Sequence, residues 1–332
     1  MQIRYPEYYQ MFQCIASACP DSCCKEWEVD VDNVAAAYYR TLTGVLGDRL
    51  RQVLKDTDDG TVMTIENGRC PMWRQDGLCR IQAELGHDAL CQVCREFPRL
   101  RHDYGNFVEY GLELSCPEAA RLILSQPHTW IVEDLPDNST PEYDEDAMEI
   151  LLDSRKTVCD FLDTTSLPPN MAFSVVLLYA HEVQSWIDGG VAAVLDADSC
   201  LQLARKHAAV GNWELLLDFF KDLEILTPQW KKRLANPAAP AEWAVGIFAL
   251  MRYFIGRYWL QAVSDYDLIG RVKFMITACL LIHHLGGNLQ ETAQLFSKEI
   301  ENDPDNLDAI LDGAYSAPAL TDVHLLSLLL KG

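Results

Sequence analysis

Nine of the chain's twelve cysteines fall in one front segment: Cys14, Cys19, Cys23, Cys24, Cys70, Cys79, Cys91, Cys94 and Cys116. Only Cys159, Cys200 and Cys279 lie beyond it. Thiols that crowd in this way share a task, and the task is metal or disulfide chemistry. Three local spacings stand out: Cys14-x4-Cys19-x3-Cys23-Cys24, Cys70-x8-Cys79, and Cys91-x2-Cys94 with Cys116 downstream. A Cys-x2-Cys pair suits one metal because a tight turn or helix start aims both sulfurs the same way. Adjacent cysteines such as Cys23-Cys24 rarely ligate one ion together, so they serve two centres, or one ligates while the other packs. Two four-cysteine zinc sites would use eight of the nine thiols, and one iron–sulfur cluster would use four. The spacing leaves both open, with a buried-thiol or disulfide role as the remaining alternative. The radical-type Cys-x3-Cys-x2-Cys pattern is absent, because Glu26 stands at the third offset.

The elements that must position these thiols read as follows. Residues 31–56 carry Val34, Tyr38, Leu42, Val45 and Leu46 at helical spacing. Residues 61–65 form a short β-like run with a turn at Glu66-Asn67-Gly68. Residues 80–97 read as mostly helical up to Pro98, and 107–114 as a second strand. Cys116-Pro117 opens a helix with proline at its first position, where a missing N–H does no harm. Residues 127–149 are rich in acid and proline and read as an acidic linker. Helices are then expected over 143–162, 171–188, 191–208, 212–226, 241–263, 266–285, 289–302 and 320–330. Asp265 and Asn288 are expected as N-caps and Gly286-Gly287 as a helix stop. The expected fold is mainly α: a compact cysteine-rich metal- or cluster-binding module with minor β structure (1–126), the linker (127–149), then an all-helical domain (150–332).

With 49% hydrophobic residues over 332 positions, the chain can bury a full core without disulfides. The first residues show no leader pattern, and the apolar runs at 243–255 and 274–285 are interrupted by Arg252 and by His283-His284. A cytoplasmic protein without membrane association is expected, and reduced thiols there favour ligation over cross-linking. The net charge of −22 opposes nucleic-acid binding and suits a partner that presents lysines, or simply keeps the chain soluble.

Phe12-Gln13-Cys14, Cys19-Pro20-Asp21-Ser22-Cys23-Cys24-Lys25-Glu26-Trp27, Asn67-Gly68-Arg69-Cys70-Pro71 and Asp76-Gly77-Leu78-Cys79-Arg80-Ile81 together form a pattern. It continues through Leu85-Gly86, Leu90-Cys91-Gln92-Val93-Cys94-Arg95, Phe97-Pro98-Arg99 and Leu114-Ser115-Cys116-Pro117-Glu118-Ala119-Ala120-Arg121. The pattern resembles the flagellin lysine-N-methylase family, and also small cysteine-rich proteins that chelate zinc or iron. The likeness is specific over residues 12–125 and general beyond. Met72-Trp73 departs from it where a Phe-Leu-like pair is expected. The resemblance implies a protein-lysine N-methyltransferase that moves methyl groups from S-adenosylmethionine to flagellin lysines, with a [4Fe-4S] cluster on some of these cysteines. The leading set is Cys19, Cys23, Cys91 and Cys94, with Cys14, Cys24, Cys70, Cys79 and Cys116 behind it.

Methylation requires a neutral amine, and lysine's reference pKa is about 10.4. A desolvating pocket or a nearby base must remove the proton. Aromatic walls would hold the sulfonium and the methylated product by cation–π contact. Tyr5, Tyr8, Tyr9, Phe12, Trp27, Trp73, Phe97, Tyr104 and Tyr110 are the aromatic candidates, though such rings are more often core or rim. Glu109, Glu113 and Tyr110 are the weak catalytic candidates, with Glu109 and Glu113 expected on one face of the 107–114 run. No Gly-x-Gly-x-x-Gly nucleotide loop is present, so S-adenosylmethionine would need another architecture and its residues stay unassigned. His283-His284 read as core or surface histidines, and Cys159, Cys200 and Cys279 as packed small hydrophobes. Two other classes remain: a non-catalytic zinc-binding interaction module, and an iron–sulfur redox or electron-transfer protein.

Overall fold

The computed structural model describes residues 1–25, 28–58, 60–136 and 139–331. Glu26 and Trp27, both named above, therefore lie outside the described residues. Among the described residues the fold is mainly helical, with two small sheets, both within the first 134 residues.

The larger sheet has the order β5-β6-β1-β7, from β1 (Gln2–Pro6), β5 (Arg99–Asp103), β6 (Phe107–Leu112) and β7 (Trp130–Asp134). β1 runs parallel to β6, with Gln2 opposite Phe107, and antiparallel to β7, with Pro6 opposite Trp130. The smaller sheet has the order β2-β4-β3, from β2 (Val29–Val31), β3 (Leu54–Thr57) and β4 (Gly60–Met63). β7 and the first turns of the Glu145–Thr164 helix occupy much of the stretch expected as a linker.

The hydrophobic side chains form two clusters. One gathers Val29, Val31, Ala36, Tyr39, Leu50, Val53, Met63, Met72 and Ile81 with Cys70 and Cys91. The other joins Tyr8, Phe12, Phe107 and Leu114 to the helical half. At its centre is the Leu268–Leu285 helix, which packs against Pro169–Ile187, Pro304–Ser316 and Ile247–Tyr258. That central helix is the one described helix long and apolar enough to cross a membrane, and its whole length is buried inside this protein. The two histidines expected to interrupt it sit in its last turn.

Several elements differ from the sequence reading. Residues 31–56 are not one helix but β2, the Asn33–Thr41 helix, the Gly44–Val53 helix and β3. The apolar stripe that suggested one helix faces largely outward: Val34 and Val45 are each 80% exposed, and Ala35, Ala36, Tyr39, Leu50 and Val53 are buried. The break falls at Leu42-Thr43-Gly44. Leu42 is extended, Gly44 takes a φ of +77°, and the chain doubles back so that Gly47 lies against the Leu42 carbonyl, where a Cβ would be only 2.1 Å away. Helices at Pro228–Ala235 and Pro304–Ser316 have no counterpart in the expectations. Each opens on proline behind a polar cap, Thr227 or Asp303, and the prolines hide the periodic signal. Asp267, not Asp265, caps the central helix by accepting from the Gly270 N–H, and Asp265 pairs with Arg271 at 2.8 Å. Asn288 caps as expected, and Gly286 ends the central helix at a φ of +66°.

Candidate functional site

Short backbone links bring the front thiols together. Asn67 and Gly68 take positive φ, and Glu66 and Arg69 exchange backbone hydrogen bonds of 2.8 and 3.1 Å across the turn. That turn delivers Cys70, whose N–H donates to the Cys24 carbonyl at 2.8 Å. The Cys79 segment folds back on it: Trp73 bridges to Cys79, and the Arg80 N–H donates to Met72 at 2.7 Å. Asp32 ties in the last pair. One oxygen accepts from Ala35 N at 2.9 Å and caps the Asn33–Thr41 helix, while the other accepts from Gln92 N at 2.8 Å, just after Cys91. The buried Tyr39 hydroxyl donates to the Ala89 carbonyl at 2.7 Å and holds the same turn from below.

None of the twelve cysteines is in a disulfide. The front nine fall into two neighbourhoods. Cys23, Cys24, Cys70, Cys79, Cys91 and Cys94 form one, with thiol hydrogen bonds linking Cys23 to Cys24, Cys24 to Cys70, and Cys91 to Cys94. Cys14, Cys19 and Cys116 form another, close enough to feel one another's charge, with Cys23 between the two. The crowding suppresses ionisation. The hydrogen bond to Cys24, then burial, pushes the Cys23 thiol up, and the bond to Cys91, then burial, does the same to Cys94. The Cys23 bond pulls Cys24 down, but its bond to Cys70, burial and nearby thiols carry it up to about 12. Burial, helped by the neighbouring Cys19 and Cys14 and opposed by the Ala119 and Glu118 N–H groups, takes Cys116 up to about 12. Cys70 and Cys91 are the exceptions, lowered by the hydrogen bonds from Cys24 and Cys94.

Sulfur donors that hold one another protonated form a set that a cation would reverse, because a bound metal ionises its thiols outright. In chemical kind the donors therefore fit a soft ion or an iron–sulfur centre. Among the described residues, however, no three His, Cys, Asp or Glu side chains are arranged to hold an ion.

A second feature lies at the larger sheet. A narrow cleft of about 30 Å³ opens between β5–β6 and the Ile247–Tyr258 helix. Tyr8, Tyr110, Trp130 and Tyr253 supply rings, His102 and His128 line it, and Arg252 and Arg257 stand in its wall. Burial pushes the Tyr8 and Tyr253 phenols up, so both remain protonated. His102 Nε2 is buried with no hydrogen-bond partner. Behind the cleft the Glu301 carboxylate accepts from Tyr253 at 3.0 Å and Tyr258 at 2.9 Å and pairs with Arg257 at 3.1 Å. Glu301 comes from a π-helical turn, Ser297–Glu301. Of the catalytic and aromatic candidates named from sequence, Tyr8, Tyr110 and Glu109 reach this cleft.

Glu109 is not a solvated strand residue. It is buried, and Arg155 clamps both its oxygens at 2.6 and 2.8 Å. Glu113 lies past the end of β6 and accepts from the Ser115 hydroxyl. Tyr5 bonds Glu133, Tyr9 packs between Tyr5 and Tyr110, Tyr104 stacks on Phe107, Phe12 lies under Arg99, and Trp73 lies under Arg69. Phe97 joins Pro98 through a cis peptide bond. The two histidines of the central helix stack on indoles, the partly buried His283 on Trp243 and the buried His284 on Trp213. Cys279 is fully buried, Cys200 is half-buried, and Cys159 lines the cleft. Sequence reasoning missed Tyr253, Arg257 and Glu301. The available signal was Tyr253 and Arg257 at a spacing of four in an otherwise apolar helix.

No family model matches the chain, and no solved structure does. Curated relatives do. The flagellar biosynthetic protein FliU of Salmonella muenchen is 34% identical over 129 residues, which cover 37% of this chain and 76% of that protein. The chain belongs to the flagellin lysine-N-methylase family. Two lysine-N-methylases, from Salmonella typhimurium and Salmonella choleraesuis, are 34% and 33% identical over 129 residues. Those matches take in 32% of each methylase, so the chain spans about a third of the length of these two members of the flagellin lysine-N-methylase family.

Proposed function

We propose that the chain is a cytoplasmic protein-lysine N-methyltransferase that takes methyl groups from S-adenosylmethionine and acts on flagellin or another lysine-bearing protein. The observation that carries this reading is the kinship with proteins named as lysine-N-methylases. The two structural features above give it a chemical form. The aromatic cleft receives the end of the target lysine. Its volume admits about two water-sized groups, enough for an amine and one methyl. Loss of water between Tyr8, Tyr110, Trp130 and Tyr253 disfavours the ammonium. The ammonium gives up one proton to solvent on entry, the neutral amine's lone pair attacks the sulfonium methyl, and the methylated ammonium leaves the cleft to re-equilibrate with water. The N–C bond forms as the C–S bond breaks, and the electron pair returns to sulfur as a thioether.

The ligands of an iron–sulfur centre are drawn from Cys14, Cys19, Cys23, Cys24, Cys70, Cys79, Cys91, Cys94 and Cys116, with the hydrogen-bonded pairs Cys24–Cys70 and Cys91–Cys94 favoured. Bound there, such a centre supplies electron-transfer capacity and a cross-link between the loops. The separate small core around Tyr39 and Leu50 favours a second reading, a metal-stapled interaction module without catalysis.

Incubation of oxygen-free protein with flagellin and S-adenosylmethionine separates the two. Methylated lysines are expected in flagellin peptides by mass spectrometry, and Tyr110→Ala is expected to slow their appearance about tenfold or more. Flagellin that stays unmodified, with the donor unconsumed, defeats the enzyme reading and leaves the module.

A further inference from the structure

The Leu289–Phe296 helix and the π-helical turn that continues it present three polar side chains at i, i+4 and i+8: Gln290, Gln294 and Lys298. All three reach into the cysteine-bearing front of the chain. Gln290 Nε2 donates to the Pro117 carbonyl at 2.9 Å. Gln294 Nε2 donates to the Ser115 carbonyl at 3.1 Å and to Asp21 Oδ2 at 2.8 Å. Lys298 Nζ forms an ion pair with the same Asp21 oxygen, while Lys25 takes the other oxygen at 2.8 Å. Ser115 and Pro117 flank Cys116, and Asp21 lies midway between Cys19 and Cys23. The Gln294 amide thus touches both thiol-bearing segments at once.

We propose that Gln290, Gln294 and Lys298 form a latch through which the helical half positions Cys19 and Cys116 beside each other. Neither thiol segment has regular structure of its own at the contact: Cys19 follows a three-residue 3-10 turn, and Cys116 precedes its helix. Such segments hold a fixed place only where outside groups satisfy their carbonyls and carboxylates. The latch supplies those groups from a helix anchored in the main core by Leu295, Phe296 and Ile300. A charge-assisted bond to a shared carboxylate is the strong member of the set, and the two amide bonds fix the register. The assignment concerns where the thiols sit. The reading of those thiols as a metal centre gives the latch its purpose but not its geometry.

The test labels the reduced, chelator-treated full chain with iodoacetamide and follows each cysteine by peptide mass spectrometry. In Gln294→Ala and Lys298→Met, Cys19 and Cys116 are expected to alkylate about five- to tenfold faster, as a local opening is released. Cys70, Cys91 and Cys279 should react as in the unaltered protein, and Lys298→Arg should keep the original rates at Cys19 and Cys116. Unchanged labelling at Cys19 and Cys116, or an equal rise at every thiol, overturns the latch. Metal analysis of the unaltered protein judges the centre separately, so the two ideas can fail independently.

Discussion

Glu109→Gln is expected to destabilise the protein by about 3–5 kcal/mol in urea unfolding. Its carboxylate is buried on β6 and clamped by the equally buried Arg155 of the Glu145–Thr164 helix. The pair is the polar joint between sheet and helical half. Around it Arg4 lies over Phe107 at 3.9 Å and Arg155 over Trp130 at 5.0 Å, and loss of Glu109 leaves the buried Arg155 guanidinium without its partner. Removing one charge strands the other. Replacing both together, as Glu109→Leu with Arg155→Met, should restore much of the loss, because a buried pair contributes less than it would cost to break. The same variants decide whether Glu109 also has a chemical role. Unchanged stability in Glu109→Gln, with lost methyl transfer, would make the carboxylate a proton acceptor and not a joint.

The second large effect is acid loss of stability. His128 is enclosed near the cleft, with its Nε2 2.8 Å from the Ile123 carbonyl and its ring edge-on to Tyr8 at 5.1 Å. Burial pulls its pKa down to about 4. The Ile123 contact and Asp163 oppose that shift, and Arg252 adds to it. The unfolded ring titrates near 6.5. Between those values the unfolded state binds the extra proton, so stability is fully present above about pH 6.5 and is lost as pH falls toward 4. From this one ring the loss is about 3 kcal/mol. Burial shifts His102, His283 and His284 in the same direction; His283 also drops to about 4, but it is half solvated and contributes less. Asp21 and Asp322 act in a lower window. Burial would raise them, yet Lys25 and Lys298 outweigh it at Asp21, and His181 and Lys273 outweigh it at Asp322, so their contribution fades only below the ordinary carboxylate range. Melting temperatures recorded from pH 7 to 4 should fall steadily, and His128→Gln should flatten the fall. A flat profile in the unaltered protein would contradict the enclosed neutral ring.

The thiol crowd, the Asn67-Gly68 turn, the Cys116-Pro117 helix start and the Asn288 cap are all local signals, and each is found where the residues put it. The helix at 33–41 shows how local signals mislead. Val34, Tyr38 and Val45 have the spacing of a core stripe, but small Ala35 and Ala36 join Val29, Val31 and Met63 in the small core, and the larger side chains are left outside. The polar joints were invisible for another reason. Glu109 with Arg155, Glu301 with Tyr253 and Asp21 with Lys298 each unite residues from separate segments, and no spacing within one segment encodes the partner. β7 was hidden by composition, because its acidic residues lie on an exposed edge strand where charge is tolerated. Which thiols lie near one another is likewise a property of loop closure, set by Asp32, Tyr39 and the Cys24–Cys70 link.

Iron and acid-labile sulfide assayed together in an oxygen-free preparation address the central claim most directly. The account predicts a brown protein with about four of each per chain, lost together on exposure to air or on replacing Cys91 and Cys94 by serine. A colourless, folded protein with neither iron nor zinc, its front thiols all free to alkylate, would contradict it.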